Sequence, residues 1–143
     1  MTTIAEVMTR EADVLPPEAS LQEAAQIMDR LNVGVLPICD GTRLVGMLTD
    51  RDIVVRGVSA GAGPESPVLE ALSDTVEWCY GDDDVSVAEQ KMASRQIRRL
   101  PVLDRNRQLI GIVSLGDLAT WAEGDRSSVL RAVSSPSQPD RRG

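Results

Sequence analysis

The stretch SLQEAAQIMDRLNVGVLPICD, Ser20 to Asp40, returns in altered form as DVSVAEQKMASRQIRRLPVLD, Asp84 to Asp104. At a spacing of 64 positions Ala24 meets Ala88, Gln26 meets Gln90, Met28 meets Met92 and Leu36-Pro37 meets Leu100-Pro101. One residue is then added in the second copy, where DRNRQ stands against DGTR. At a spacing of 65, Leu44 meets Leu109, Gly46 meets Gly111 and Asp52 meets Asp117. The match also runs backwards, laying Val7–Thr9 over Ala71–Ser73. An internal repeat constrains a fold more than any local propensity, because each copy must adopt one supersecondary unit. The chain therefore reads as two related halves of about 60 residues. A half of that length is marginal alone and needs a partner for its apolar face.

Both halves predict the same elements. A short extended piece comes first, ADVLP in one half and TVEWC in the other. A helix follows. Ser20 is an N-cap with Glu23 three residues on, and Leu21, Ala24, Ala25, Ile27, Met28 and Leu31 form a stripe at helical spacing. Asp84 caps the second helix, with Val85, Ala88 and Met92 on the matching face. Two short apolar strands come next, VLPIC and LVGML, then RLPVL and LIGIV. Their connections are turn chemistry, so each pair predicts a hairpin. A last helix begins at Thr49 or Ser114. The order is β-α-β-β-α, twice, an α+β arrangement. The Gly, Pro and Ser of VSAGAGPESPV, Val58 to Val68, mark the joining loop. The expected domains are 1–63, 64–122 and a C-terminal tail, 123–143. In the tail SSVLRAV is a candidate helical turn, and the last ten residues have a disordered composition.

Composition narrows function. With no His, a Ser-His-Asp or Cys-His arrangement, a His base and most catalytic zinc sites are excluded. The net charge of −7 repels a phosphate backbone, and three aromatic residues, two Trp and one Tyr, give few stacking platforms. Nucleic acid is not an expected partner. No apolar run is long enough for a membrane span, and MTTIAEVMTR carries no signal-peptide pattern, so a cytoplasmic protein is expected. Cys39 and Cys79 lack CxxC spacing and read as buried thiols, with a redox switch as the alternative. The acidic run GDDDVS, Gly81 to Ser86, could do acid–base work or hold Mg²⁺. It could equally cap a helix through Asp84, with Asp82 and Asp83 favouring the positive end. No nucleophile–base pair is visible, so an enzyme is not expected.

The motif G-x-x-[ST]-x-x-D occurs twice, GMLTDRD at Gly46 to Asp52 and GIVSLGD at Gly111 to Asp117. Thr49-x-x-Asp52 and Ser114-x-x-Asp117 each have the form of a capping box. A helix start with a small hydroxyl is also an anion site. These roles can coexist. Gly46 and Gly111 either admit a ligand closely or relieve a sheet bulge.

The doubled β-α-β-β-α pattern, with its apolar-Pro strands and glycine-led motif, resembles a tandem pair of CBS domains, a Bateman module. The resemblance covers roughly Ile4 to Trp121. GVLPICDGTRLVGMLTDRDIV is similar to the standalone bacterial CBS-pair proteins of the hypoxic-response type, and GIVSLGDL to the last repeat of the regulatory gamma subunit of the AMP-activated protein kinase. The resemblance implies two repeats packed with pseudo-twofold symmetry, clefts that take AMP, ATP or related adenosyl ligands, and pairing of two modules into a homodimer through their helices. It implies a regulatory protein that reports ligand state to a protein partner, here unknown, and no required cofactor or metal.

Carried over residue by residue, the stronger cleft combines Ile112, Ser114 and Asp117 with Thr9, Asp13, Val14, Gly34 and Val35. Backbone groups at 14 and 35 would read the adenine edge. On the family geometry, Arg98 and Arg99 lie near the helix that Ser114 begins and supply cations for a phosphate. Asp117 repels a phosphate and suits ribose hydroxyls. The other reading of the arginines is a solvated pair at a helix end. The weaker cleft combines Met47, Thr49 and Asp52 with Ser73, Glu77, Arg98 and Arg99. Its own strand has Gly34 and Val35 where the other has arginines, Glu77 adds negative charge, and Arg51 is the candidate to compensate. The alternatives are a ligand-free dimerisation scaffold and a cysteine redox sensor.

Overall fold

A computed structural model of the chain describes residues 1–10, 12–73 and 77–125. In chain order the elements are α1 (Ile4–Val7), α2 (Leu21–Leu31), β1 (Val35–Asp40), β2 (Arg43–Thr49), α3 (Asp50–Asp52) continuing as a π-helix (Ile53–Val58), and a 3-10 turn (Val68–Ala71). Then come β3 (Cys79–Tyr80), α4 (Val85–Arg95), β4 (Arg99–Leu103), β5 (Leu109–Ser114) and α5 (Leu115–Asp125). The expected α+β class holds. Thr75 and Val76 of TVEWC, and the tail beyond Asp125 with SSVLRAV, lie outside the described residues.

The helices begin where their caps predict. Ser20 Oγ accepts from Glu23 N–H at 3.0 Å, and the Glu23 carboxylate accepts from Ser20 N–H at 3.2 Å. Asp84 accepts from Ser86 N–H at 3.0 Å. Both helices stop at matching positions, Asn32 and Gln96, in left-handed backbone with φ of 56° and 54°. Such a residue turns the chain and frees it for the next strand. The buried face of α2 is narrower than its stripe. Leu21, Ala24 and Met28 are buried, whereas Ala25 and Leu31 are exposed.

Each hairpin forms as predicted, β1 antiparallel to β2 and β4 to β5. Both carry a bulge at equivalent places, after Ile38 and after Val102, beside Gly46 and Gly111. The first turn uses Gly41 at φ 65°. The second uses Arg107 at φ 66°, where the extra residue lets Asp104 Oδ1 accept from both Asn106 and Gln108 N–H at 2.9 Å. The extended piece ADVLP is reduced to one parallel bridge, Leu15 to Ile38. Pro16, directly after Leu15, has no N–H to extend the ladder.

Among the described residues two compact units result, one from Asp13 to Ser73 and one that joins Met1–Arg10 and Ala12 to Glu77–Asp125. The opening turn of each half caps the helix of the other. Thr3 bridges Asp84, and Val85 N–H donates to Thr2 O at 3.0 Å. Equivalently, Pro67 bridges Ser20, and Leu21 N–H donates to Ser66 O at 2.9 Å. Ile4 and Val68, at matching places, are both fully buried, in the separate aliphatic cores of their units. Side chains of that kind contribute about 1.5–3 kcal/mol each on full burial. The Met1–Ala12 unit is centred on Ile4, Leu100, Val102, Val113 and Leu118, the other on Ile38, Leu48 and Val68.

Candidate functional site

In the unit holding Met1–Ala12, β4 and β5 bring the second motif against the N-terminal segment. Ser114 N–H donates to Asp117 Oδ2 at 2.9 Å, and Asp117 N–H donates to Ser114 Oγ at 3.0 Å, a complete capping box. Leu115 N–H donates to Arg98 O at 2.8 Å, and Arg99 lies opposite Ser114 in the hairpin register. The backbone of both arginines is therefore beside the start of α5. Thr9 and Ile112 exchange two backbone bonds, at 2.8 and 2.9 Å. That places the Thr9 hydroxyl 3.4 Å from Asp117 Oδ1, to which it donates. Six predicted residues, Thr9, Arg98, Arg99, Ile112, Ser114 and Asp117, are thus one cluster. The cluster brings the Thr9 and Ser114 hydroxyls to Asp117, with the backbone of Arg98 and Arg99 alongside.

Gly111 has a more specific role than either alternative. A Cβ there would lie 2.7 Å from both Met8 Sδ and Thr9 O. The glycine admits the chain's own N-terminal segment, which carries Thr9 to Asp117. Gly46 is less constrained, with Leu72 Cδ1 3.4 Å from the same position.

The Asp13–Val76 unit repeats the cap with different surroundings. Thr49 N–H donates to Asp52 Oδ2 at 2.9 Å, and Asp52 N–H to Thr49 Oγ1 at 3.0 Å. Asp50 N–H donates to Gly34 O at 2.9 Å, Val35 lies opposite Thr49, and Met47 opposite Pro37. Gly34, Val35, Met47, Thr49 and Asp52 are therefore together. Ser73 follows Leu72, which packs on Gly46. Asp13 and Val14 are exposed and lead into Leu15, hydrogen-bonded to Pro37 and Cys39. Asp52 has an ion-pair partner within its own helix. Arg56 Nε lies 3.7 Å from Asp52 Oδ1. The i,i+4 spacing of Asp52 and Arg56 carried that signal in the sequence. Glu77 belongs to the other unit and pairs with Arg95 at 3.3 Å.

The acidic run is engaged structurally. Asp84 caps α4, and the Ser86 bonds hold its pKa below the usual range. Asp82 and Asp83, just before that cap, also have partners of their own. Asp82 takes a two-pronged bond from Arg105, at 2.9 and 2.7 Å, which lowers its pKa, and Asp83 accepts from Tyr80 N–H at 2.9 Å. Arg105 also stacks 3.9 Å above the Tyr80 ring.

Both cysteines are free and buried, and burial pushes the thiol of Cys39 up to about 11 and that of Cys79 up to about 12. A protonated, enclosed thiol is a poor nucleophile, which weighs against a redox switch. Among the described residues no group of three or more His, Cys, Asp or Glu side chains could hold a metal. No helix among them is long and apolar enough to cross a membrane.

The CBS domain family matches residues 4–58 and again residues 68–124. The CBS domain-containing protein YhcV of Bacillus subtilis (strain 168) is 43% identical over 121 residues, 83% of this chain and 84% of that protein. Hypoxic response protein 1 of Mycobacterium tuberculosis is 40% identical over 139 residues, 95% of this chain and 96% of that protein. A crystal structure of Hypoxic Response Protein I with two coordinated zinc ions matches with a TM-score of 0.77 at 36% identity, over 85% of this chain and 99% of that one. The CBS domain pair of protein MJ0100, in complex with 5′-methylthioadenosine and S-adenosyl-L-methionine, matches with a TM-score of 0.72 at 27% identity, over 87% and 98%. CBS pairs are in general regulatory, non-catalytic modules. With both repeats matched and relatives aligned over most of their lengths, the chain belongs to the CBS domain family as a tandem pair.

Proposed function

We propose that this CBS pair is a cytoplasmic regulatory protein that binds an adenine nucleotide of the AMP, ADP or ATP type and passes its ligand state to a protein partner. The observation that carries the reading is the cluster of Thr9, Ser114 and Asp117 beside the backbone of Arg98 and Arg99. Asp117 and Thr9 serve ribose hydroxyls, and the arginines serve phosphate. The adenosyl ligands of the MJ0100 pair support the nucleoside half of this reading. The arginine pair favours a phosphorylated ligand over S-adenosylmethionine. Asp52, already paired with Arg56, marks the weaker site.

A thermal-shift panel with AMP, ADP, ATP, NAD, adenosine and S-adenosylmethionine tests this. A ligand at a hundred times its dissociation constant adds about 2.7 kcal/mol, a shift of several degrees. A shift with a phosphorylated nucleotide, lost in Asp117→Ala, supports the reading. Flat melts with every compound at millimolar concentration leave the second reading, a homodimerising scaffold without ligand. That reading draws on the exposed aliphatic side chains of the π-helix.

A further inference from the structure

Beside the turn between β4 and β5 lies a cavity of about 320 Å³, walled by Ala5, Gly81, Leu103 and Ile110 and rimmed by Asp82 and Arg105. It stands apart from the Thr9–Asp117 cluster. Ile110 is near the start of β5 and Ser114 at its end, about 13 Å of strand away.

The repeat shows that the fold does not require this hollow. Ala5 N–H donates to Gly81 O at 2.9 Å, and at the matching place Leu69 N–H donates to Pro17 O at 3.2 Å. The backbone contact is the same, yet Leu and Pro stand where the cavity has Ala and Gly. A Cβ on Gly81 would lie 2.8 Å from Ile110 Cδ1 and 3.4 Å from Ala5 Cβ, so a side chain there intrudes on the wall. The rim differs too, because Asp40 is followed by Gly41 where Asp104 is followed by Arg105.

Arg105 is already set to hold a carboxylate. Its Nε and Nη2 donate to the two oxygens of Asp82 at 2.9 and 2.7 Å. Its guanidinium also lies 3.9 Å from the centre of the Tyr80 ring, a stack that fixes it without help from Asp82. The two side chains of the pair are 63% and 58% exposed, and an ion pair in water contributes little to stability. Another carboxylate can therefore take the place of Asp82 at small cost. Tyr80 meets Trp78 edge-on at 4.8 Å, and Arg107, 5.0 Å from the Trp78 ring centre, makes no ion pair among the described residues. The nearby acids are engaged. Asp104 Oδ1 accepts from Asn106 and Gln108 N–H, and Asp83 accepts from Tyr80 N–H.

We propose that this cavity binds a small organic acid, with its apolar body between Ala5, Leu103 and Ile110 and its carboxylate on Arg105 in place of Asp82. The planar fork of a guanidinium selects a carboxylate over a neutral or cationic group. An apolar lining with one placed charge is the composition of a small-ligand site. The site gives the protein a second input, separate from the nucleotide.

The test is an NMR titration of the amide signals of the whole chain. Phenylacetate is the probe, phenylacetamide its neutral counterpart, and acetate the acid without an apolar body. Saturable shifts centred on Gly81, Leu103, Arg105 and Ile110 are expected with phenylacetate, and binding about tenfold weaker with the other two. Arg105→Gln should weaken phenylacetate about tenfold. Asp82→Asn should tighten it, because the competing carboxylate is gone, a change that a purely structural pair would not give. Both positions are exposed, so these variants keep the fold. Ala5→Leu, which copies Leu69, should fill the cavity and abolish binding. Absence of shifts near the solubility limit of phenylacetate overturns the proposal. So does equal binding of phenylacetamide, or weaker binding by Asp82→Asn than by wild type. The signals of Ser114 and Asp117 report nucleotide binding separately, so failure here leaves that reading standing.

Discussion

The Thr9 hydroxyl lies 3.4 Å from Asp117 Oδ1 although the two residues stand 108 positions apart. The contact exists because Thr9 pairs by backbone with Ile112, five residues before Asp117 and on the strand that leads into its helix. Asp117 thus closes a helix cap with one oxygen and meets Thr9 with the other. Asp117→Ala is expected to lower stability by about 1 kcal/mol, the usual cost of a lost cap. It should also weaken nucleotide binding at least tenfold, because two hydrogen bonds of about 1 kcal/mol each are removed. Calorimetric titration of Asp117→Ala and Asp52→Ala against the preferred nucleotide checks this. A larger loss from Asp52→Ala would reverse the ranking of the two sites.

Gly111→Ala is expected to be among the more damaging single substitutions in the chain. Its Cβ would meet a carbonyl oxygen of the backbone, Thr9 O, which cannot swing aside as a side chain can. A cost of about 1–3 kcal/mol follows from forced overpacking. Gly46→Ala meets only the end of the Leu72 side chain at 3.4 Å and should cost less. Urea denaturation of the two variants orders them, and equal midpoints would refute the comparison.

Glu89 is 4% exposed, and its Oε2 has no hydrogen-bond partner. Burial, with the negative charge of Asp84 added, raises its pKa above the ordinary glutamate value. The folded state therefore holds its proton to higher pH than the unfolded chain. Stability from the neutral form is fully present below the ordinary value and is lost as pH rises through the raised one. Glu89→Gln should accordingly raise the melting temperature at pH 7 and have little effect near pH 4. A lower melting temperature at pH 7 would show that the carboxylate has a favourable charged partner.

The cysteines give a simple check on the cores. Both thiols are buried, with pKa values raised to about 11 and about 12, so a thiol reagent at pH 8 should label neither Cys39 nor Cys79 in the native protein. Both should react once urea unfolds the chain. Fast native labelling of either would return the redox reading to contention.

Much of the fold was legible because its signals are local. The Ser20 and Asp84 caps, the two hairpins and the Thr49 and Ser114 boxes each rest on residues a few positions apart. The exchange of opening turns was not, since nothing within Met1–Ala12 says which helix Thr3 will bridge. Glu89 escaped for a related reason. It stands where the first helix has Ala25 of the apolar stripe, yet a carboxylate at such a place reads as solvent-facing, and Ala25 itself is exposed. Arg56 was readable at the i,i+4 distance from Asp52. The closeness of Ile112, Ser114 and Asp117 was legible from their spacing. The site's internal wiring, with Thr9 tied to Asp117 through Gly111, is tertiary.

The exchanged opening turns set an order of events during synthesis. Met1–Ala12 leaves the ribosome well before its bridge partner at Ile112 is made. Until then Ile4 and Met8, which end in a core with Leu100 and Val113, have nothing to cover them. The Asp13–Val76 unit holds its own closing turn, so it can complete early and wait. Long-range pairing of this kind slows folding, because the loop must close before the contact contributes. For the same reason a cut in the loop between Val58 and Val68 strands the first twelve residues on the wrong fragment, and neither piece keeps a whole core.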